Sequence, residues 1–256
     1  MPLLRAKGVV LRNRPLGEAD RLVTCFTLEH GKLSGVAKGA GKLRSRFGSS
    51  LQPLSLIRLM LFGKETRSLY RIDHTDILTS FQTLRDDWEK LRPALYAVDL
   101  VDALLAEADP QPRVFALLEQ LLTSLSDGRT VHIDVWLRAF EARLLTLVGY
   151  RPLLDSCAIC HRPAADPGAL SPRVGGYVCP TCEPRVSDAH RLSPATWRLL
   201  ARLTTLPWEA ATRLSLSTEQ RQDLQRMLHA LLNEHVRKEV KSYRFLGEPA
   251  DIREGM

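Results

Sequence analysis

Leu22-Val23-Thr24-Cys25-Phe26-Thr27-Leu28-Glu29-His30-Gly31-Lys32-Leu33-Ser34-Gly35-Val36-Ala37 reads as two short strands joined by a tight turn. β-Branched and aromatic residues dominate Leu22–Thr27, Leu33–Ala37 is a second β-prone run, and His30-Gly31 falls where a hairpin needs tolerance of positive φ. Upstream, Gly8-Val9-Val10-Leu11 is another β-prone run. Downstream, Leu54 to Phe62 is apolar except at Arg58, and Pro53 stands at a strand start, where its missing N–H is tolerated. Ser68 to Thr75 then alternates in polarity. Five strands in about eighty residues predict a small β-barrel, of which the OB-fold is the commonest basic version. An SH3-like barrel would have the same pattern.

After Ile77 the apolar period becomes helical. Leu84, Trp88, Leu91, Leu95, Val98, Val101 and Leu105 share one face, and Pro93 implies a kink or two abutting helices. Val114–Leu125 and Val131–Val148 are further helices, separated by Ser126-Asp127-Gly128. Ser193-Pro194 opens another, and Ser217-Thr218-Glu219-Gln220 has capping-box spacing ahead of Leu224, Met227, Leu228, Leu231 and Leu232. The predicted class is α+β: a barrel over 1–79, then an α-helical domain over 80–256 with an irregular insertion at about 151–190.

The 256 residues carry 36 Lys+Arg against 29 Asp+Glu, a net charge of +7. Residues 1–80 hold 14 basic and 6 acidic residues, so the whole excess belongs to the barrel. A field concentrated on one small unit attracts polyanions, nucleic acid first among them. Lys38, Lys42, Arg44 and Arg46 lie in a glycine-containing loop between strands, and Arg12, Arg14 and Arg21 flank a turn at Pro15-Leu16-Gly17. Two such loops can border one groove and hold phosphates without choosing a sequence. Phe47 is the aromatic placed to stack on a base, while Phe26, Phe62 and Tyr70 read equally well as barrel core. No apolar run of about 18 residues is present and charges interrupt the N-terminus, so a cytoplasmic chain is expected, with no membrane partner.

Gly41-Lys42 fails as a phosphate loop, because Leu43 replaces the hydroxyl residue and Val36 the first glycine. HExxH and GxSxG are missing and the histidines are dispersed, so no enzyme is expected. The strongest motif is Cys157-Ala158-Ile159-Cys160 with Cys179-Pro180-Thr181-Cys182, eighteen residues apart. That spacing suits two knuckles closing on one tetrahedral zinc, and four thiolates leave no open position, so the ion is structural. Two disulfides are disfavoured in the cytoplasm, and a redox CxxC lacks its βαβ context. Cys157 to His161 also matches a haem-attachment string, which would leave the second pair unexplained. The surrounding prolines and glycines, among them Pro163, Gly168, Gly175 and Gly176, cannot form a helix or pack a core. Cys25 reads as a buried thiol.

These residues resemble a bacterial family, the recombination mediator RecO. Gly17-Glu18-Ala19-Asp20, His30-Gly31-Lys32, Val36-Ala37-Lys38-Gly39-Ala40, Ser45-Arg46-Phe47 and Leu51-Gln52-Pro53 follow its N-terminal pattern. Gly149-Tyr150-Arg151-Pro152, the first cysteine pair and Gly175-Gly176-Tyr177-Val178-Cys179 are similar to its central segment. The departures are Leu16 where an aromatic is frequent, Gly41 where a basic residue often stands, and His161 where Gly is usual. The resemblance implies an OB-fold, binding of single- and double-stranded DNA, and annealing of complementary strands in a nucleoid-associated setting. It also implies partnership with RecR, loading of RecA, and contact with the acidic tail of single-stranded-DNA-binding protein. A final helix carrying Arg237, Lys238, Lys241 and Arg244 beside Val236, Val240 and Phe245 is the candidate surface for that tail. The rival readings are a zinc-knuckle protein adaptor without DNA binding and a nucleic-acid-modifying enzyme.

Overall fold

The computed structural model describes residues 3–63, 69–128, 132–164, 168–211, 213–236 and 238–247. The chain forms two compact units, residues 1–128 with 238–256 and residues 129–237. In the first, β1 (Leu3–Leu16), β2 (Asp20–Thr27), β3 (Gly31–Ala37), β4 (Leu56–Phe62) and β5 (Tyr70–Thr79) close into a barrel in the order β1-β2-β3-β5-β4. All five expected strands are present, and the class is α+β with an OB-like barrel. β1 is much longer than the expected Gly8–Leu11. It pairs with β4 from Leu3 to Val9 and with β2 from Gly8 to Leu16, with a bulge between Val10 and Arg12. A bulge adds twist, which lets one strand serve both halves of a barrel.

Val10, Val23, Cys25, Leu33, Ile57, Leu59 and Ile72 fill the interior. Cys25 is 1% exposed, and burial pushes its thiol up to about 12, so it packs as a small hydrophobe. The barrel closes where β3 runs parallel to β5, from Gly35 opposite Tyr70 to Ala37 opposite Ile72. A Cβ on Gly35 would lie 2.8 Å from Ile72 Cγ1, so only glycine permits that approach. Gly31 has φ +67°, as the hairpin required.

Among the described residues three α-helices join the barrel in this unit: α1 (Gln82–Arg85), α2 (Trp88–Leu104) and α3 (Pro112–Asp127). The break expected at Pro93 is not there: the stretch divides at Asp86-Asp87, where the Asp87 carboxylate accepts from Glu89 N at 3.0 Å, and Pro93 lies inside α2. α2 continues through Pro93 because its buried face, with Tyr96, Ala97 and Val101 at 0% exposure, outweighs one lost backbone bond. Phe26 meets Phe115 of α3 with ring centroids 5.7 Å apart. A 3-10 segment, Lys241–Leu246, returns to α2, placing Tyr243 5.8 Å from Tyr96.

The second unit contains α4 (Ile133–Leu147), β6 (Ala169–Ser171), β7 (Gly176–Val178), β8 (His190–Arg191), α5 (Pro194–Thr205), α6 (Trp208–Ala211) and α7 (Thr218–Asn233). Ser193 caps α5 by accepting from Thr196 N at 3.1 Å, and Ser217 with Gln220 forms the expected capping box of α7. The segment read as unable to pack a core does pack one. β7-β6-β8 is a three-stranded sheet, and Ala169, Leu170 and Val178 are fully buried. Its glycines allow the close packing: a Cβ on Gly168 would lie 1.9 Å from the Tyr177 ring, and one on Gly176 2.4 Å from Leu153 O.

Candidate nucleic-acid interface and metal centre

The loop after β3 is pinned at both ends. Gly39 N donates to Asp20 Oδ1 at 2.8 Å and Gly41 N to Ala19 O at 2.7 Å, which ties the loop to the β1–β2 hairpin. At the far end Phe47 is buried in the barrel core at 4% exposure, with its N–H donating to Ser45 Oγ at 3.2 Å. Phe47 is therefore an anchor, and its ring is not offered to a base; the Arg46 guanidinium lies 5.0 Å from the ring centroid. Between the anchors Lys42, Arg44 and Arg46 are all exposed, as is Lys38 just before the first of them. Arg14 is exposed and Arg21 half-buried on the hairpin to which the loop is tied. Lys38, Lys42 and Arg44 have no ion pair among the described residues. Arg46 lies 3.7 Å from Asp73, which Arg71 also approaches at 3.0 Å. Arg71 was overlooked in the sequence because it sits in an alternating strand rather than a charge run.

Arg12 has a different task. Its Nε lies 2.5 Å from Asp102 Oδ2 on α2, where Lys32 at 3.3 Å and Lys238 at 2.7 Å also converge. Lys32 Nζ donates further to the carbonyls of Asp102 and Leu105, both at 2.8 Å. Burial works to raise the Asp102 carboxyl, but Lys238, Lys32 and Arg12 outweigh it, and the net shift is downward. Arg12 is thus half-buried and paired with Asp102, unlike the unpaired cations of the loop. Asp102 was missed because a helical carboxylate among basic neighbours normally marks a solvated face.

Of the residues assigned to an acidic tail, Arg237 lies outside the described residues. No final helix carries the others: α7 ends at Asn233, Lys238 serves Asp102, and Lys241 and Arg244 belong to the 3-10 segment. Val240 is 8% exposed and so contributes to packing. Lys241 and Phe245, with Arg14, Leu95 and Val98, line a cavity of about 570 Å³.

In the second unit the ligand atoms of Cys157, Cys160, Cys179 and Cys182 lie within 4.8 Å of one another. Two knuckles bring them there. Cys157 N donates to Arg162 O at 2.8 Å, and Cys182 and Glu183 N both donate to Cys179 O at 2.9 Å. Ala158 N donates to Tyr177 O at 2.8 Å and so joins the first knuckle to the strand that carries the second. Ile159, Val186 and Trp197 pack around the sulfurs. The thiols are driven apart in acidity: the Arg162 backbone N–H and guanidinium hold Cys160 down to about 6, while burial and neighbouring sulfurs push Cys182 up to about 12. Four such donors cannot all ionise beside one another without a cation, and a tetrahedral metal ion fits the set. His161 adopts φ +59°, a left-handed conformation that costs a non-glycine residue about 1 kcal/mol. His161→Gly is expected to raise the melting temperature of the metal-loaded chain by about 2–4 °C, checked by differential scanning calorimetry.

Two family models divide the chain between them: "Recombination protein O N terminal" over residues 1–81 and "Recombination protein O C terminal" over residues 85–244. The chain belongs to the RecO family. It is similar to proteins named DNA repair protein RecO from Symbiobacterium thermophilum (36% identity, covering 96% of this chain and 97% of the relative) and Myxococcus xanthus (35%, 94% and 96%). A relative from Pelotomaculum thermopropionicum is 31% identical over 96% of this chain and 94% of its own length. Membership in RecO makes this a DNA-repair-family chain. No helix among the described residues is long and apolar enough to cross a membrane.

Proposed function

We propose that this chain is a recombination mediator that binds single- and double-stranded DNA on the barrel, anneals complementary strands and performs no covalent chemistry. With RecR it helps load RecA onto strands coated by single-stranded-DNA-binding protein, whose acidic tail it engages. The observation that carries this reading is the pinned, outward loop with Lys38, Lys42, Arg44 and Arg46 tied to the hairpin of Arg14 and Arg21. Cations held there neutralise phosphates on two strands, lowering their repulsion while the bases pair. The four thiolates would hold one Zn²⁺, which supplies fold stability and touches no substrate.

Annealing of complementary oligonucleotides, with and without the single-strand coat protein, tests this reading. Acceleration in both settings is expected, and no effect in either would overturn it. For about five neutralised phosphates, the logarithmic salt slope of single-strand binding is near −3.5. The triple variant Lys42→Ala, Arg44→Ala, Arg46→Ala is expected to flatten that slope by about 2. A slope equal to that of the unmodified protein would remove the loop from the interface. The adaptor reading predicts no retention of labelled single-stranded DNA at low salt.

A further inference from the structure

Leu43 is fully exposed, at 108% of its reference area, between the exposed cations Lys42 and Arg44. A singly exposed apolar side chain is ordinary on a protein surface. This one differs in degree: the next most exposed large apolar side chain among the described residues, Trp88, stands at 53%. It also differs in setting. The loop is fastened to Ala19 and Asp20 on one side and to the barrel core through Phe47 on the other, so its tip is held outward. The hairpin to which it is fastened presents a second exposed leucine, Leu16, at 41%. With Phe47 buried, this loop offers no exposed aromatic ring.

We propose that Leu43 is an apolar wedge that enters between adjacent bases of a strand whose phosphates are held by Lys42, Arg44 and Arg46. The inference rests on the DNA-binding reading and adds a base contact to what that reading makes a purely phosphate interface. Leucine is among the side chains that can part a base step, and base faces accept apolar surface regardless of sequence, so the contact adds grip without specificity. Parting a stacked step turns base edges outward, which favours pairing with an incoming strand. Leu16 extends the same apolar surface on the neighbouring hairpin. A basic tip with an exposed leucine also suits an anionic bilayer, but here Lys42, Arg44 and Arg46 sit on a barrel loop, not on an amphipathic helix.

The test uses the full-length protein and an oligonucleotide carrying 2-aminopurine within a single-stranded tract, reading emission together with anisotropy. Binding by the unmodified protein is expected to raise 2-aminopurine emission as the base unstacks. Leu43→Ala is expected to abolish that rise and weaken binding about fivefold, the lower end of one stacked base's contribution. Its salt slope should not move, because no counterion is released by an apolar contact. Leu43→Met, an aliphatic wedge of similar size, should keep both signals, and Leu78→Ala, an exposed apolar control on β5, should change neither. Equal binding and emission for Leu43→Ala and the unmodified protein would overturn the wedge while leaving the DNA reading intact. So would an effect of Leu43→Ala confined to phosphatidylserine vesicles. Failure of the unmodified protein to bind would overturn the DNA reading, and the wedge with it.

Discussion

Asp102→Ala is expected to destabilise the chain by about 3–5 kcal/mol, the range found when one partner of a buried ion cluster is removed. Asp102 is 4% exposed and its carboxylate balances Arg12, Lys32 and Lys238, from β1, β3 and the segment after α7. Lys32, itself 6% exposed, would keep its two carbonyl acceptors but lose its buried counter-charge. Urea unfolding followed by circular dichroism measures the loss. Asp102→Asn, which keeps the shape and removes the charge, should fall between the two. An effect below about 1 kcal/mol for Asp102→Ala would show that solvent, with Asp99 beside Arg12 and Glu107 beside Lys32, satisfies the three cations without it. The same carboxyl makes a pH prediction. Its folded pKa lies below the unfolded value, so its contribution is fully present above the ordinary Asp range and is lost as pH falls through the folded pKa. Asp102→Asn should therefore flatten the acid limb of the stability profile and leave the neutral plateau's slope unchanged.

Removing the metal is the second large effect expected. Structural zinc contributes on the order of 10–16 kcal/mol of binding free energy in isolated finger peptides. Part of that is already supplied here by the packed sheet around Leu170, Tyr177 and Val178. Chelation is therefore expected to lower the melting temperature by at least about 10 °C, corresponding to a net loss of a few kcal/mol in a chain of this size. Cys160→Ser and Cys179→Ser should each reduce bound metal from one equivalent to near zero, measured by elemental analysis of the purified protein. Each knuckle would then lose its partner, since the Cys160 and Cys179 sulfurs lie only 3.7 Å apart. One equivalent retained by both variants would exclude the four-thiolate centre. DNA binding by the barrel is expected to survive chelation, because Cys157, Cys160, Cys179 and Cys182 all lie in the second unit.

The sequence was most legible where a regular period met a turn that needs a particular residue. The pattern from Leu22 to Ala37 announced a hairpin because alternation sets the buried face and Gly31 supplies the positive φ. Ser217 and Ser193 announced helix starts for a similarly local reason. Features that depend on distant partners were harder to read. The two- and three-residue strands β6, β7 and β8 have no period to detect, and only packing against Leu153 and Tyr177 reveals why glycine stands at 168 and 176. Arg12 and Arg14 look alike in the chain, yet a bulge and a helix 90 residues away separate a half-buried, paired cation from an exposed one. Phe47 followed the same rule: its neighbours in sequence suggested a stacking platform, and its neighbours in space made it an anchor.

Because residues 238–247 complete the unit begun by residues 1–128, the unit that contains the barrel is discontinuous along the chain. During synthesis its ion cluster must wait for Lys238 until all of residues 129–237 have left the ribosome. At roughly 5–20 residues per second, that delay is on the order of 5–20 s. For those seconds Asp102 has at most Arg12 and Lys32 as partners, and the contacts of α2 with the 3-10 segment Lys241–Leu246 cannot yet form.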